Sequence, residues 1–207
     1  MGLYADHIFP WLLDRTEAKE MEEQRHLAVR EVRGEVLEIG VGTGLNIPHY
    51  PDEVTALTAV DPSGGGRRRA MRRAQARGLK VAWHRGRGER LPFADERFDS
   101  VVIVDVLCSV EDVDTVLAEA YRVLRPGGRL HLLEHGLAPD ERVRKWQRRL
   151  NGFNKRTACG CELTRDPEKH LRASSFQIDE LVRVPPFAGT GALYPHIRAT
   201  ARRPQRP

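Results

Sequence analysis

The sequence predicts an α/β protein: a doubly wound, seven-stranded, mostly parallel sheet preceded by a helical segment. Three observations predict it. Short apolar runs of strand length alternate with stretches whose apolar residues recur at helical spacing. The first run, Val36-Leu37-Glu38-Ile39, opens directly into three glycines at alternate positions, Gly40, Gly42 and Gly44. The second run, VTALTAVD, ends in an acid, Asp61, about twenty residues after that loop, the spacing of a ligand-holding strand end. A chain of 207 residues suits one domain, here residues 1–207, with a helical N-terminal segment over 1–33 and the core over 34–207.

Each element follows in order. Residues 3–32 read as helical, with Asp14 or Thr16 as a cap ahead of a charged stretch and Pro10 breaking the first turns; this segment is placed to lie over a ligand as a lid. VLEI at 36–39 is the first buried strand, VTALTAVD at 54–61 the second and KVAWH at 80–84 the third. DSVVIVDV at 99–106 is the fourth, and its unbroken apolar centre suits a strand covered on both faces. Val113, Val116, Leu117, Ala120, Val123 and Leu124 recur at helical spacing over 112–125. Arg125-Pro126-Gly127-Gly128 then stops that helix and turns the chain into a fifth strand, RLHLLEH at 129–135. A basic helix is expected over 139–152 and a short one near 167–174. Two last strands, 176–184 and 192–202, join through a turn at Pro185-Pro186, the final one running antiparallel.

Composition narrows the function classes. The chain has 34 Lys and Arg against 29 Asp and Glu, a net charge of +5, with arginine concentrated at 67–73, 142–149 and Arg202-Arg203. Such runs attract nucleic acid or anionic lipid. No aromatic-interleaved nucleic-acid motif accompanies them, so they read as a solvated surface; nucleic acid is not an expected partner, and peripheral membrane contact stays open. No apolar run reaches the roughly 18 to 20 residues of a membrane span, and MGLYADHIFPWLL is too short and acid-interrupted for a signal peptide. A cytoplasmic protein is expected, and no pattern speaks to its oligomeric state. Cys108, Cys159 and Cys161 are an odd count, unlike a disulfide framework. Cys159-x-Cys161 without a second pair does not make a metal site, and none is expected.

The glycines carry the chemistry. They let the backbone turn sharply and approach a nucleoside-bearing cofactor, while the following helix start offers free N–H groups to a carboxylate. A dinucleotide fingerprint has its third glycine three residues after the second. Leu45 stands there, and Gly44 comes two after Gly42. The resulting E-x-G-x-G-x-G is the pattern associated with S-adenosylmethionine.

LEIGVGTG at 37–44, the strand-end Asp61, ERLPFADERFDSV at 89–101 and RVLRPGGRL at 122–130 together resemble the class I S-adenosylmethionine-dependent methyltransferases. More narrowly, LCSV at 107–110, LLEHG at 132–136, the Trp146 helix, GCELTR at 160–165 and PHIRATA at 195–201 resemble the methyltransferase-like thiol methyltransferases and their bacterial relatives. The resemblance implies a Rossmann-like methyltransferase fold, S-adenosylmethionine as cofactor and a small-molecule methyl acceptor, a thiol favoured.

Methyl transfer from a sulfonium is an in-line displacement, so positioning carries much of the rate. Asp61, followed by Pro62, offers two acceptor oxygens to the ribose diol; the alternative is a helix N-cap. The resemblance places Glu38 near the cofactor's ammonium group, with helix capping as its other reading. Asn46 caps the next helix or touches the cofactor carboxylate. At the adenine end the family's Gly-Asp-Ala-Glu or Gly-Ser-Ala-Glu reads Gly86-Arg87-Gly88-Glu89. An arginine cannot accept from the adenine amino group, so backbone groups at Gly88 or Glu89 take that role, and Leu91 with Pro92 packs on the ring or in the core. Asp105 and Val106 close the fourth strand, where the resemblance puts the wall nearest the reactive sulfur. An acid there is costly to bury unpaired, so Asp105 pairs with cofactor, substrate or an arginine, or acts as a base with a raised pKa. His135, ending the fifth strand, is a proton acceptor near neutral pH or a structural histidine. Cys108 reads as a small buried residue. Tyr4, Trp146 and Phe153 wall an apolar acceptor pocket or belong to the core, Tyr4 being the best lid candidate.

Competing functions differ in what they require. A thiol, with a pKa of about 8.5, supplies its own thiolate. O- or N-methylation of a natural product, lipid headgroup or quinone needs Asp105 or His135 as base. A non-catalytic nucleic-acid module has no use for intact glycines with Glu38 and Asp61. A short-chain nicotinamide dehydrogenase needs Tyr-x-x-x-Lys, whereas Tyr121 is followed by Arg125 and Tyr194 by Arg198.

Overall fold

A computed structural model describes residues 19–185 and 192–205. Tyr4, most of the expected N-terminal helical segment and Pro186 lie outside the described residues. Seven strands form one sheet: β1 (Gly34–Ile39), β2 (Val54–Asp61), β3 (Val81–Arg85), β4 (Phe98–Val104), β5 (Leu124–His135), β6 (Gln177–Arg183) and β7 (His196–Arg202). The order across the sheet is β3-β2-β1-β4-β5-β7-β6. The first five are parallel to their neighbours, and β7 enters antiparallel between β5 and β6. The chain therefore reverses direction at β1, where β2 and β4 depart to opposite sides, and ligands of such sheets bind at that switch point.

Among the described residues five α-helices cover the sheet: α1 (Lys19–Val29), α2 (Arg67–Arg77), α3 (Val113–Val123), α4 (Glu141–Thr157) and α5 (Pro167–Ala173). The strands' near-continuous apolar runs divide by parity. Leu37, Ile39, Val101 and Ile103 pack with α3 and Leu171, whereas Val36, Val102, Val104 and Leu133 pack with α1 and with Ala70 and Ala74 of α2. Both faces are thus buried, as a parallel sheet demands. No helix among the described residues is long and apolar enough to cross a membrane.

Several boundaries differ from expectation for local reasons. β4 stops at Val104 because Asp105 takes a left-handed φ of 56°, and the Glu134 side chain, not a strand, accepts from the Val106 and Leu107 amides at 2.6 and 3.0 Å. The expected turn at 125–128 is instead the irregular start of β5, with Gly127 at φ 80° absorbing a register shift opposite Phe98 and Ser100. The carbonyls at the end of α3 meet Arg203, which donates to Tyr121, Arg122 and Leu124 oxygens at 2.7–3.1 Å. Arg203 is accordingly a partly buried structural residue and not the solvated charge read from the tail; its side chain is 12% exposed. The arginine run at 67–73 opens α2, a helix without apolar periodicity that docks through Ala70 and Ala74, four residues apart.

Candidate active site

A cavity of about 390 Å³ opens at the carboxyl ends of β1, β2 and β4. Its floor is the glycine loop. Gly42 lies at φ 52°, and a Cβ built there meets no atom closer than 4.0 Å, so a side chain would project into space that a ligand needs. Asp61 fixes this loop: it accepts from the Gly42 amide at 2.9 Å and the Ser63 amide at 2.7 Å, one on each carboxylate oxygen. Each oxygen keeps a second lone pair for a ligand hydroxyl. Burial raises the Asp61 pKa, and those two amides pull against it.

Glu38 does not line the cavity. It lies beneath the loop, 1% exposed, accepting from Asn46 Nδ2 at 2.7 Å and Tyr50 Oη at 2.9 Å, while Asn46 itself faces the cavity. Burial pushes the Glu38 carboxyl up to about 7 against the opposing pull of Asn46, Tyr50 and Arg25. Asn46 Oδ1 accepts from Arg25 at 3.0 Å, and the same guanidinium reaches Asp105 at 3.3 Å. Arg25 thus carries α1 onto the cavity rim.

Asp105 lines the cavity with Val106. It pairs with Arg25 and lies 3.2 Å from His196 Nε2. Burial alone would raise its pKa; the His196 hydrogen bond with the charges of His196, Arg25 and His135 outweighs burial and holds it below the usual carboxylate range. The raised pKa expected of a poised base is therefore not what the structure has. At the far end, Gly88 and Glu89 line the cavity with Pro62, and Arg87 pairs with Glu111 on the same rim.

Other expected site residues lie elsewhere. Gly44 packs the loop against Ile47 and Ala70. Leu91 belongs to the core cluster with Phe93 and Phe98. His135 is buried behind the wall, its Nε2 3.1 Å from Cys161 Sγ. Trp146 and Phe153 are 55% and 70% exposed on the outer side of α4. The reason is that α4 turns polar residues inward: Gln147 bonds the backbone of Gly136, Ala138 and Leu193, and Asn154 bonds Cys161 O and Tyr194 Oη.

Three contributors escaped the sequence reading. Gly66 allows α2 to start against the loop, since a Cβ there would stand 2.0 Å from Gly42 O. Arg25 sits in a helix with no motif, and His196 arrives from a strand 91 residues after Asp105. PHIRATA was the one available signal for the last.

A cavity floored by glycine backbone at a switch point, with an acid at the end of β2, defines a nucleoside-cofactor enzyme of the methyltransferase class. A family model described as a methyltransferase domain matches residues 37–132. Thiol S-methyltransferase TMT1B of Rattus norvegicus is 32% identical over 210 residues, covering 96% of this chain and 85% of the relative. Thiol S-methyltransferase TMT1A of Homo sapiens is 33% identical over 167 residues, covering 78% and 68%. The crystal structure of N-methyltransferase NodS from Bradyrhizobium japonicum WM9 with S-adenosyl-L-homocysteine superposes with a TM-score of 0.71 at 23% identity, covering 95% of this chain and 92% of that one. The chain belongs to the class I S-adenosylmethionine-dependent methyltransferases, in the family that includes these thiol S-methyltransferases.

Proposed function

We propose that this enzyme transfers the methyl group of S-adenosylmethionine to the sulfur of a small thiol. One observation carries the choice of acceptor: among the described residues, every carboxylate lining the cavity is already engaged. Asp61 holds two amides, Asp105 holds Arg25 and His196, Glu89 accepts from the Glu111 amide, and Glu111 pairs with Arg87. Among the described residues, no histidine lines the cavity. A hydroxyl or ammonium acceptor needs a base that can leave its partner, whereas a thiol of pKa about 8.5 reaches the cavity partly as thiolate. The likeness to thiol S-methyltransferases along 96% of the chain supports the same acceptor.

In this reading Asp61 accepts from the ribose hydroxyls, with Pro62 beside it. Gly40 and Gly42 admit the cofactor's backbone-close approach, and Asn46, anchored by Glu38 and Arg25, meets its amino-acid end. Backbone groups of Gly88 and Glu89 face the adenine, and Asp105 with Val106 borders the reactive sulfur. Gly44 and Leu91 support these surfaces from behind.

An acceptor screen tests it. Purified enzyme with S-adenosylmethionine is offered matched thiols, phenols and amines, and S-adenosylhomocysteine release is scored. Thiols should react at least about a hundred-fold faster than their phenol counterparts, a transition-state difference of roughly 3 kcal/mol. Turnover of phenols or amines with silence on thiols overturns the reading.

A further inference from the structure

Behind the Asp105 wall lies a cluster that the cofactor site does not use. Ligand atoms of Cys108, His135 and Cys161, one from each, all lie within 4.8 Å of one another, and all three residues are buried. His135 Nε2 is 3.1 Å from Cys161 Sγ, while its Nδ1 is buried without a hydrogen-bond partner among the described residues. Tetrahedral zinc, with Zn–S about 2.3 Å and Zn–N about 2.0–2.1 Å, separates neighbouring ligand atoms by roughly 3.5–3.8 Å. The three atoms need shift only slightly to meet that geometry.

Each ligand is positioned by its own segment. Glu134 holds the backbone amides just before Cys108, and the Glu162 amide donates to Cys108 O at 2.9 Å. Asn154 donates to Cys161 O at 2.9 Å. His135 ends β5 paired with His196 of β7 and packs in a T-shape with the Tyr194 ring, centroids 5.2 Å apart. The cluster also collects three sequence motifs that the cofactor pocket left unexplained, LCSV, LLEHG and GCELTR, one ligand from each.

We propose that Cys108, His135 and Cys161 bind a divalent cation of the zinc class, leaving a fourth coordination position for the sulfur of the acceptor. Two thiolates and an imidazole are the donor set of soft divalent metals, and three protein ligands with one open position is the pattern of catalytic zinc. The cluster lies against the cavity wall: Cys108 falls between Val106 and Ser109, and Cys161 follows Cys159 by two, all three of these neighbours lining the cavity. The assignment of the fourth position rests on the thiol-acceptor reading, whereas the metal site stands apart from it. On binding the metal the acceptor thiol releases its proton to solvent. A sulfur lone pair then forms the new S–CH₃ bond as the methyl–sulfonium bond breaks. That bonding pair returns to the cofactor sulfur, giving a methyl thioether and S-adenosylhomocysteine.

The test is spectroscopic. Metal-stripped full-length protein is titrated with Co²⁺ alone, then with thiophenol or phenol at saturating cobalt. The wild type should bind one equivalent of cobalt with a near-ultraviolet sulfur-to-cobalt charge-transfer band, and Zn²⁺ should displace it and raise the melting temperature. Cys108→Ser and Cys161→Ser should weaken the band, and Cys159→Ser should keep it. Wild-type protein that binds no stoichiometric cobalt overturns the site whatever the variants do, as does a full band in Cys161→Ser. Thiophenol, and not phenol, should shift the visible cobalt bands. No shift, with thiol methylation intact, overturns the fourth-position assignment alone; a metal site in an enzyme that methylates no thiol overturns the acceptor reading instead.

Discussion

A methyl group on Gly66 would stand 2.0 Å from Gly42 O and 2.9 Å from the Thr43 nitrogen, both backbone atoms of the loop that floors the cavity. Nothing flexible is there to yield, so α2 and the loop must part. Overpacking of this kind costs about 1–3 kcal/mol. Gly66→Ala should therefore lower S-adenosylmethionine affinity about five- to a hundred-fold by calorimetric titration; unchanged affinity would show the loop tolerates the shift. Asp61→Ala acts on the same loop from the other side, removing the acceptor of the Gly42 and Ser63 amides as well as the proposed ribose contact. Its affinity loss should exceed about ten-fold, since hydrogen bonds to a charged group contribute about 1.5–3 kcal/mol each. Asp61 was legible because an acid at a strand end after a glycine loop is a local pattern. Gly66, Arg25 and the Cys108–His135–Cys161 cluster were not, because their partners stand 24, 80 and 26–53 residues away and no spacing connects them.

Among the elements, the strands were the most legible, since an apolar run buried on both faces leaves an unbroken signature. α2 left none: its burial rests on two alanines among arginines. The reading of α4 failed differently. Large aromatics suggested an inward face, but Gln147 and Asn154 point inward to satisfy backbone groups that no apolar residue could serve. Consequently Trp146→Ser and Phe153→Ser should each change stability by less than about 0.5 kcal/mol and leave the acceptor KM unchanged, whereas Gln147→Leu should destabilise by about 1–3 kcal/mol per orphaned backbone group. Denaturant melts distinguish the two. α3 gives a cap test: Asp112 accepts from the Asp114 and Thr115 amides at 2.9 and 3.3 Å, and Asp112→Ala should cost about 1 kcal/mol.

At the scale of the whole molecule, two buried groups on the face shared by α1 and α2 set opposing pH slopes. His131 is 1% exposed, and burial, followed by the charge of Arg129, lowers its pKa from 6.5 to about 4. Between those values the unfolded chain holds a proton that the folded chain refuses, so His131 costs stability as pH falls from about 6.5 to 4. Glu38 has the reverse sign. Its pKa is raised from 4.5 to about 7, so the folded chain keeps a proton the unfolded chain has released, and stability is lost as pH rises from about 4.5 to 7. The two slopes overlap between pH 4.5 and 6.5 and oppose each other there. Glu38→Gln removes one of them while keeping a neutral side chain whose carbonyl can still accept from Asn46 and whose NH₂ can donate to the Tyr50 hydroxyl once it turns. The variant's stability relative to wild type should rise steadily from pH 4.5 to 7, by at most roughly 3 kcal/mol, and level off above. Urea melts of both proteins at half-unit pH intervals measure that difference, and parallel curves across the window would mean that Glu38 is not the buried acid that opposes His131.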